Sequence, residues 1–416
     1  MSVAAEADLL ACAVWPFQLS RALKSFGIAV SGGSDSMALL WLLAPWAKAN
    51  GMSVQVATVN HGLRAEAQAE AEFVADCCAE LGVQHAILDW RGWDGRGNTQ
   101  ASARAARHRL LAAWANAQGL DAVVLGHTLD DQAETILLRL ARGSGVDGLS
   151  GMEVETHLHA MRWIRPLLAL RRNDLRAYLV RHGKTWVDDP SNDNPAYDRV
   201  KVRKAMALLE PLGIDAARLT DTGFRMSLAR TALATYAQEA AGRHIRQQFG
   251  DVVMDRAGLL SLPYETQLRV AAAAICWVSG SVYRPRLLAL QEALANAVTG
   301  RRHTLQGALL GGNRSAIVIT REHQAVRHLT TATDTLWDNR WHLSGPHAPD
   351  LTIRALGETG LLACPDWRSS GFPRASLLSS PAVWRGDTLI AAPLAGVNDA
   401  WQARIVADFH SSLVSH

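Results

Sequence analysis

The feature that most constrains the fold is the string SGGSDS at residues 31–36, which follows an apolar run and opens a long apolar stretch. A strand, a glycine turn and a helix in this order favour a bound phosphate, because glycines let backbone N–H groups approach an anion and the helix N-terminus adds positive potential. A serine–glycine turn before a helix is often only a cap, but the full string after a strand favours pyrophosphate. The predicted nucleotide-binding residues are Ser31, Gly32, Gly33, Ser34, Asp35 and Ser36.

The first half of the chain alternates short β-prone runs with longer helical patterns, as in a parallel sheet covered on both faces. Strands are predicted at 27–30, 54–60, 85–90 and 121–126. Helices are predicted at 35–49, where Pro45 should kink or end the helix, at 98–118, and from the cap Thr128 to about Arg142. The fold class is therefore α/β with a doubly wound parallel sheet.

The length of the chain predicts more than one domain. Its 416 residues exceed the roughly 250–300 at which a single core stops growing. We expect a nucleotide-binding domain at 1–215, a mostly helical domain at 216–328, and a small β-containing C-terminal domain at 329–416.

Composition narrows the class of protein. Hydrophobic residues make up 49% and charged residues 19%, and no apolar run approaches the roughly 18 residues of a membrane span. The N-terminus carries acid where a signal peptide carries base, so we expect a cytoplasmic protein with no membrane partner. The five cysteines form no CxxC or metal spacing, which favours reduced thiols that are buried or half-buried.

The positive charge is concentrated in one segment. Residues 162–204 hold eleven Lys/Arg against five Asp, a net of +6, while the rest of the chain carries −3. Such a run is either a solvated helix face or a phosphate-contacting surface for a polyanion.

Individual residues indicate the chemistry. Asp35 beside a bound triphosphate is best explained by magnesium coordination, since phosphates would repel a bare carboxylate. No GxxxxGKS/T motif occurs, which disfavours a P-loop kinase or ATPase. His61 and Arg64 follow the second strand, at the carboxyl edge where open α/β sheets bind ligands.

Five strings in order resemble the tRNA(Ile)-lysidine synthetases, within the PP-loop ATP pyrophosphatase superfamily (adenine nucleotide alpha-hydrolase-like fold). They are SGGSDS, HGLR at 61–64, GHTLDDQAETILLRLARGSG at 126–145, IRPLLALRRNDLRAYL at 164–179 and WVDDPSNDNPAYDRVKVR at 186–203. The last string contains Arg199 and Arg203, the arginines of the family's R…R element, whose four-residue spacing puts both on one face of a helix. One departure is Val200, where the family usually has Asn. Residues beyond 216 resemble the family more loosely. The resemblance implies that 1–215 is the catalytic domain, 216–328 a substrate- or tRNA-binding domain and 329–416 a C-terminal tRNA-binding domain.

The resemblance implies that ATP adenylates the C2 carbonyl oxygen of the wobble cytidine in isoleucine tRNA with a CAU anticodon. Free L-lysine then displaces AMP to form lysidine. The implied partners are this tRNA, lysine, ATP and Mg²⁺, in a cytoplasmic ligase that is a monomer or a homodimer.

The resemblance also implies site residues. The catalytic candidates are Asp35, His127, Asp131 and Arg203, with His61 joining the nucleotide site. The tRNA candidates are Arg104, Arg107, Arg199 and Arg203. Either Asp131 or His127 could take the lysine proton, and Asp130 and Glu134 could equally be helix-start charges.

Two alternatives stay open at this point. A PP-loop tRNA thiolase or other adenylating RNA-modifying enzyme would share the loop, but the cysteine inventory disfavours sulfur transfer. A non-catalytic tRNA-binding protein would not need the intact loop, His127 and Asp131. Pyrophosphate release with labelled lysine or a sulfur donor, with and without tRNA, separates the three.

Overall fold

The structure, a computed structural model, describes residues 3–19, 23–61, 67–90, 99–188 and 198–413. The chain forms two compact units, Met1–Arg230 and Thr231–His416. The three-domain division at 215 and 328 stays a prediction. In the described ranges, no helix combines the length and apolarity needed to cross a membrane.

The first unit contains a six-stranded sheet in the order β3-β2-β1-β4-β6-β5. Its strands are β1 (Ser25–Ala29), β2 (Ser53–Asn60), β3 (Gln84–Asp89), β4 (Ala122–Leu125), β5 (Glu155–Leu158) and β6 (Met161–Ile164). All neighbours pair in parallel except β5, which is antiparallel to β6. The α/β fold class is confirmed, and the four predicted strands are present within two residues of the expected bounds.

The helices of this unit alternate with the strands. They are α1 (Val3–Leu19), α2 (Ser34–Ala49), α3 (Ala67–Leu81), α4 (Thr99–Ala117), α5 (Leu129–Ala141), α6 (Val146–Leu149), α7 (Arg172–Arg181) and α8 (Asp198–Leu209), followed by α9 (Ala216–His244). Helices α2, α4 and α5 confirm the predicted ones.

The central strands bury both faces, as expected of a parallel sheet. Phe26 and Ile28 pack into one core with α1, α2 and α7, and Ala29 packs into the other with α4. Gly27 lets Trp114 of α4 approach the sheet, because a Cβ there would lie 2.5 Å from the indole.

Pro45 lies inside α2, which continues to Ala49, so of the two expected effects the helix does not end at the proline. A proline has no N–H for the carbonyl four residues back, here that of Trp41. The hydroxyl of Tyr178 on α7 donates to this carbonyl at 3.4 Å instead. The neighbouring helix therefore compensates for the missing bond.

The second unit holds antiparallel sheets and short helices. One sheet runs in the order β7-β8-β11-β10-β9, and its strands are β7 (Ile245–Gln248), β8 (Asp251–Asp255), β9 (His303–Leu305), β10 (Ala308–Gly312) and β11 (Ala316–Arg321). Against it pack α10 (Arg256–Ser261), α11 (Tyr264–Ser279) and α12 (Leu287–Val298). The middle segment is therefore helical, as expected, but it also contains this antiparallel sheet.

The remaining residues form two smaller sheets. The strands are β12 (Thr330–Ala332), β13 (Trp341–Ser344), β14 (Thr352–Ala355), β15 (Pro381–Arg385), β16 (Thr388–Ala391) and β17 (Gln402–Ile405), paired as β12-β14-β15-β16 and β13-β17. Four short helices accompany them: α13 (His323–Val326), α14 (Gly357–Leu362), α15 (Arg374–Leu378) and α16 (Phe409–Ser412). The expected β content of this part is confirmed.

Candidate active site

The SGGSDS turn joins the carboxyl end of β1 to the start of α2. Gly32 has φ +85°, a left-handed conformation that favours glycine. The hydroxyl of Ser36 donates to the Gly33 carbonyl at 2.9 Å and accepts from the Ser31 N–H at 3.1 Å, which fixes the turn. Gly33, the N-cap residue of α2, has no side chain to cap it, so first-turn N–H groups are available for an anion.

The start of α5 is fixed by a capping box between Thr128 and Asp131. One oxygen of Asp131, Oδ2, accepts from the Thr128 N–H at 2.9 Å and from its hydroxyl at 3.0 Å. The predicted cap is confirmed. The other oxygen, Oδ1, is left for partners outside the helix.

Arg172, the first residue of α7, joins the two motifs. Its Nε donates to Asp35 Oδ2 at 2.8 Å, and its Nη2 donates to Asp131 Oδ1 at 3.1 Å. Its backbone N–H donates to Asp130 Oδ2 at 2.8 Å, so Asp130 also orients α7. A single guanidinium therefore links the glycine turn to the GHTLDD motif.

Glu134 lies beneath this contact with only 1% of its side chain exposed. Arg203 donates to it at 2.6 Å through Nε, and Arg199 and Arg172 lie at 3.9 and 3.8 Å. In this structure the two arginines of the R…R element therefore contact carboxylates of α5. Val200 between them is buried, so residue 200 packs in the interior.

Burial and charge set the protonation of these groups. Burial raises the pKa values of Asp35 and Glu134, against the opposing effects of Arg172 on Asp35 and Arg203 on Glu134. For Asp131 burial is the largest influence and acts upward, but Arg172, His127, Thr128 and Arg199 together outweigh it, so its pKa is lowered. Asp131 is therefore held as the anion.

A cavity of about 330 Å³ opens beside this cluster. It is lined by His61, Ala103, Arg104, Arg107, His108, Leu111, Leu125, His127 and Arg199. Burial lowers the pKa of Arg107 to about 10, with Arg104 and Arg199 adding to the effect. The three arginines on its wall, Arg104, Arg107 and Arg199, make the cavity positively charged, which favours an anionic ligand.

Two of the three histidines on the cavity wall, His61 and His127, have an unsatisfied ring nitrogen. The Nδ1 atoms of His61 and His127 are buried and have no hydrogen-bond partner among the described residues. Burial lowers the pKa of both rings, most strongly for His127, so both are neutral. Buried polar atoms without partners are rare and indicate a ligand or water.

The structure thus brings the predicted residues together in two adjoining groups. Asp35, Asp131 and Arg203 belong to the cluster of ion pairs, while Arg104, Arg107 and Arg199 line the cavity with both histidines. Arg64 lies outside the described residues. Sequence reasoning missed Arg172, although it stands four residues before Arg176, the same spacing that drew attention to Arg199 and Arg203.

The residues present fit a magnesium ion that is bound mainly through substrate phosphates. Mg²⁺ in nucleotide sites uses one or two carboxylates plus phosphate oxygens, and Asp35 stands at the turn that would hold them. Within the described part of the chain, no cluster of three or more His, Cys, Asp or Glu side chains could hold a metal ion without substrate.

The cysteines are free thiols. Cys78, Cys276 and Cys364 are buried, Cys77 is half-buried, and only Cys12 is exposed, which departs from the buried state expected for it. Burial raises the pKa of Cys78 to about 12 and also raises that of Cys77. Neither is an activated thiolate of the kind that sulfur transfer uses.

A glycine turn with an uncapped helix, at the carboxyl edge of a parallel sheet and beside paired carboxylates, defines a PP-loop nucleotide-binding protein. A family profile described as the PP-loop domain matches residues 11–209. The tRNA(Ile)-lysidine synthase of Ruegeria pomeroyi is 44% identical over 396 residues, 94% of each chain. That of Wolbachia pipientis wMel is 36% identical, covering 76% of this chain and 75% of its own.

The chain belongs to the tRNA(Ile)-lysidine synthase family and is an ATP-dependent, tRNA-modifying ligase. Among solved structures it is similar to the U34-tRNA thiolase NcsA of Methanococcus maripaludis. The two are 17% identical, with a TM-score of 0.47, and the match covers 53% of this chain and 78% of the other.

Proposed function

We propose that the chain ligates L-lysine to C2 of the wobble cytidine of isoleucine tRNA with a CAU anticodon, with residues 31–36 binding the phosphates of ATP. The observation that carries the assignment of residues is the uncapped turn joined through Arg172 to Asp35 and Asp131. The partly buried, positively charged cavity beside them supports a site for the cytidine and its flanking phosphates.

In the first half-reaction the cytidine O2 forms a bond to the α-phosphorus as the α–β bridging bond breaks. The electron pair leaves with pyrophosphate. The free N–H groups at Gly33 and the first turn of α2 stabilise the charge that develops there. Asp35 would hold a magnesium ion that neutralises the phosphates when bound.

In the second half-reaction the lysine ε-amine attacks C2, AMP departs, and the amine loses a proton. Both oxygens of Asp131 are already hydrogen-bonded, whereas His127 is neutral and has a buried nitrogen without a partner. We therefore assign the proton to His127 and a positioning role to Asp131. Arg104, Arg107, Arg199 and Arg203 remain the candidates for contact with tRNA phosphates.

The test replaces Asp35 with alanine in the full chain. We expect loss of both pyrophosphate release and lysine incorporation into an isoleucine tRNA transcript, because the variant removes the metal ligand and a partner of Arg172. Asp76→Ala is the matched control, since Asp76 is exposed on α3. Near-normal lysine incorporation by Asp35→Ala would remove Asp35 from the mechanism.

A further inference from the structure

We propose that Arg172 and Arg176, on one face of α7, bind the β- and γ-phosphates of ATP and stabilise the pyrophosphate leaving group. This inference rests on the proposed function and adds two residues to the nucleotide site. It also reassigns part of the basic segment 162–204 from tRNA to ATP.

The geometry of α7 places both guanidiniums at the PP-loop. Residues four apart on a helix lie on the same face. Arg172 reaches Asp35 at 2.8 Å, and Arg176 donates through Nε to the Ser34 hydroxyl at 3.2 Å. The two arginines thus contact neighbouring residues of the first turn of α2, where backbone N–H groups are available for an anion.

Arg176 is held in place without being neutralised. Its Nη2 lies 3.4 Å from Asp188, a carboxylate that is 76% exposed, and its guanidinium lies 5.7 Å from the centre of the Trp186 ring. The Trp186 indole N–H donates to the same carboxylate at 3.0 Å. An exposed pair of this kind contributes little energy, so most of the charge of Arg176 is available to a ligand.

The segment that orients Arg176 is itself attached to the loop. The Val187 N–H donates to the Gly32 carbonyl at 2.9 Å, and a Cβ on Gly32 would lie 3.6 Å from the Val187 side chain. The segment 186–188 therefore contacts both the PP-loop and Arg176. This places Arg176 to contact ATP at the loop rather than a polyanion such as tRNA at the outer surface.

Arg172 differs from Arg176 in that it is already paired with largely buried carboxylates. It contacts Asp35, Asp131 and, at 3.8 Å, Glu134. Its three carboxylate partners raise its pKa although burial alone would lower it, so it is a permanent cation. If Asp35 held a magnesium ion, the Nε of Arg172 would be free to donate to a phosphate oxygen of ATP in place of the carboxylate.

The chemical step needs this charge on the leaving side. As the bond between the α-phosphorus and the bridging oxygen breaks, negative charge grows on the β-phosphate, and pyrophosphate departs with the bonding pair. Two guanidiniums beside the loop stabilise that charge more than they stabilise bound ATP. They should therefore act on pyrophosphate release as well as on ATP affinity.

The test measures binding of a non-hydrolysable ATP analogue, of pyrophosphate and of tRNA by titration calorimetry, with and without Mg²⁺. Arg176→Ala is the main variant, since 43% of its side chain is exposed and it should fold. Arg172→Lys keeps the charge but loses the forked contacts. Arg171→Ala, an exposed neighbour at the N-cap of α7, is the matched control. Thermal melting of each variant reports folding.

We expect Arg176→Ala and Arg172→Lys to weaken analogue and pyrophosphate binding about tenfold or more, as for a lost hydrogen bond to a charged group. Their tRNA affinity should stay within about twofold of wild type, and Arg171→Ala should keep its ATP affinity. Unchanged nucleotide affinity in Arg176→Ala, or a loss confined to tRNA, would overturn the inference. Failure of the wild type to incorporate lysine would instead count against the proposed function.

Discussion

His127 and Asp131 stand on either side of the start of α5, yet their surroundings suit them to different tasks. Asp131 is ionised and has hydrogen bonds to both oxygens, so accepting a proton would cost it contacts with Arg172 and Thr128. His127 lines the cavity and has a buried Nδ1 atom without a hydrogen-bond partner among the described residues. Burial lowers its pKa and so opposes protonation, whereas the neighbouring Asp131 carboxylate favours the charged ring. The ring can therefore take up a proton next to an anion and without losing an existing bond.

Replacing His127 with glutamine should therefore separate the two half-reactions. We expect pyrophosphate release with tRNA to continue within about threefold of wild type, while lysine transfer falls roughly 100-fold or more, as for loss of a general base. Rapid-quench assays of pyrophosphate and of labelled lysine in the same reaction give both rates. Equal loss of both would show that His127 acts on adenylation instead.

At the level of elements, the site depends on how closely β4 approaches α2. A Cβ on Gly126, at the end of β4, would lie 3.1 Å from the Asp35 carbonyl oxygen and from the Ser36 Cα. Both neighbours are backbone atoms, so a side chain at 126 would force the start of α2 away from the sheet. Gly126 thus fixes the distance between GHTLDD and the PP-loop.

We expect Gly126→Ala to weaken binding of the ATP analogue by about tenfold, with a loss of stability of roughly 1–3 kcal/mol from overpacking. Gly145→Ala is the control, because nothing lies within 4 Å of a Cβ at that position and its φ is −83°. Calorimetric titration and thermal melting measure the two effects. Unaltered analogue affinity in Gly126→Ala would show that this approach does not shape the nucleotide site.

Elements with a strong pattern could be predicted from the sequence. Strands β1 to β4 are short runs rich in apolar residues, and Thr128 followed by Asp131 is a capping signal, so both were found. The sheet formed by β7 to β11 was largely missed, since its strands have three to six residues and lie among Ala- and Leu-rich helices. The continuation of α2 past Pro45 could not be predicted, because the hydroxyl that donates to the unpaired Trp41 carbonyl belongs to Tyr178, more than 130 positions away.

The candidate site was likewise predicted only in part from the sequence. The motifs identified the residues that line the cavity and the carboxylates of the ion-pair cluster, but no local pattern shows which charged residues pair with each other. Arg172 appeared as one of eleven cations in a basic run, and only the fold reveals its contacts with Asp35 and Asp131. Pairing between distant segments is set by the tertiary structure.

For the whole molecule, the fold changes the meaning of the charge distribution. Many cations of the segment 162–204 lie within 4 Å of a carboxylate; these are Arg162, Arg172, Arg176, Lys184, Arg199, Lys201 and Arg203. Arg171 and Lys204 are exposed and have no carboxylate partner among the described residues. Much of the +6 therefore balances acids of the same unit, and a smaller part is free to attract RNA.

The salt dependence of tRNA binding should reflect this difference. Each phosphate contact contributes about −0.7 to −0.9 to the slope of log affinity against log salt, so the double variant Arg171→Ala/Lys204→Ala should flatten the slope by roughly 1.5. Arg162→Ala, whose cation pairs with Glu155 at 2.5 Å, should leave the slope unchanged. Filter binding over a salt series measures the slopes. Equal flattening by both variants would mean that paired cations bind RNA as well.

The capping box of α5 limits what the GHTLDD string can reveal about other proteins. Asp131 begins a helix through Thr128 as well as contacting Arg172, so losing its carboxylate would destabilise the fold even where no lysine is transferred. A descendant that had abandoned catalysis would still be under selection to keep these two residues. A relative that keeps Thr-x-x-Asp here therefore shows only that the start of the helix is kept, and the histidine one residue earlier, which caps nothing, is the better sign of a working enzyme.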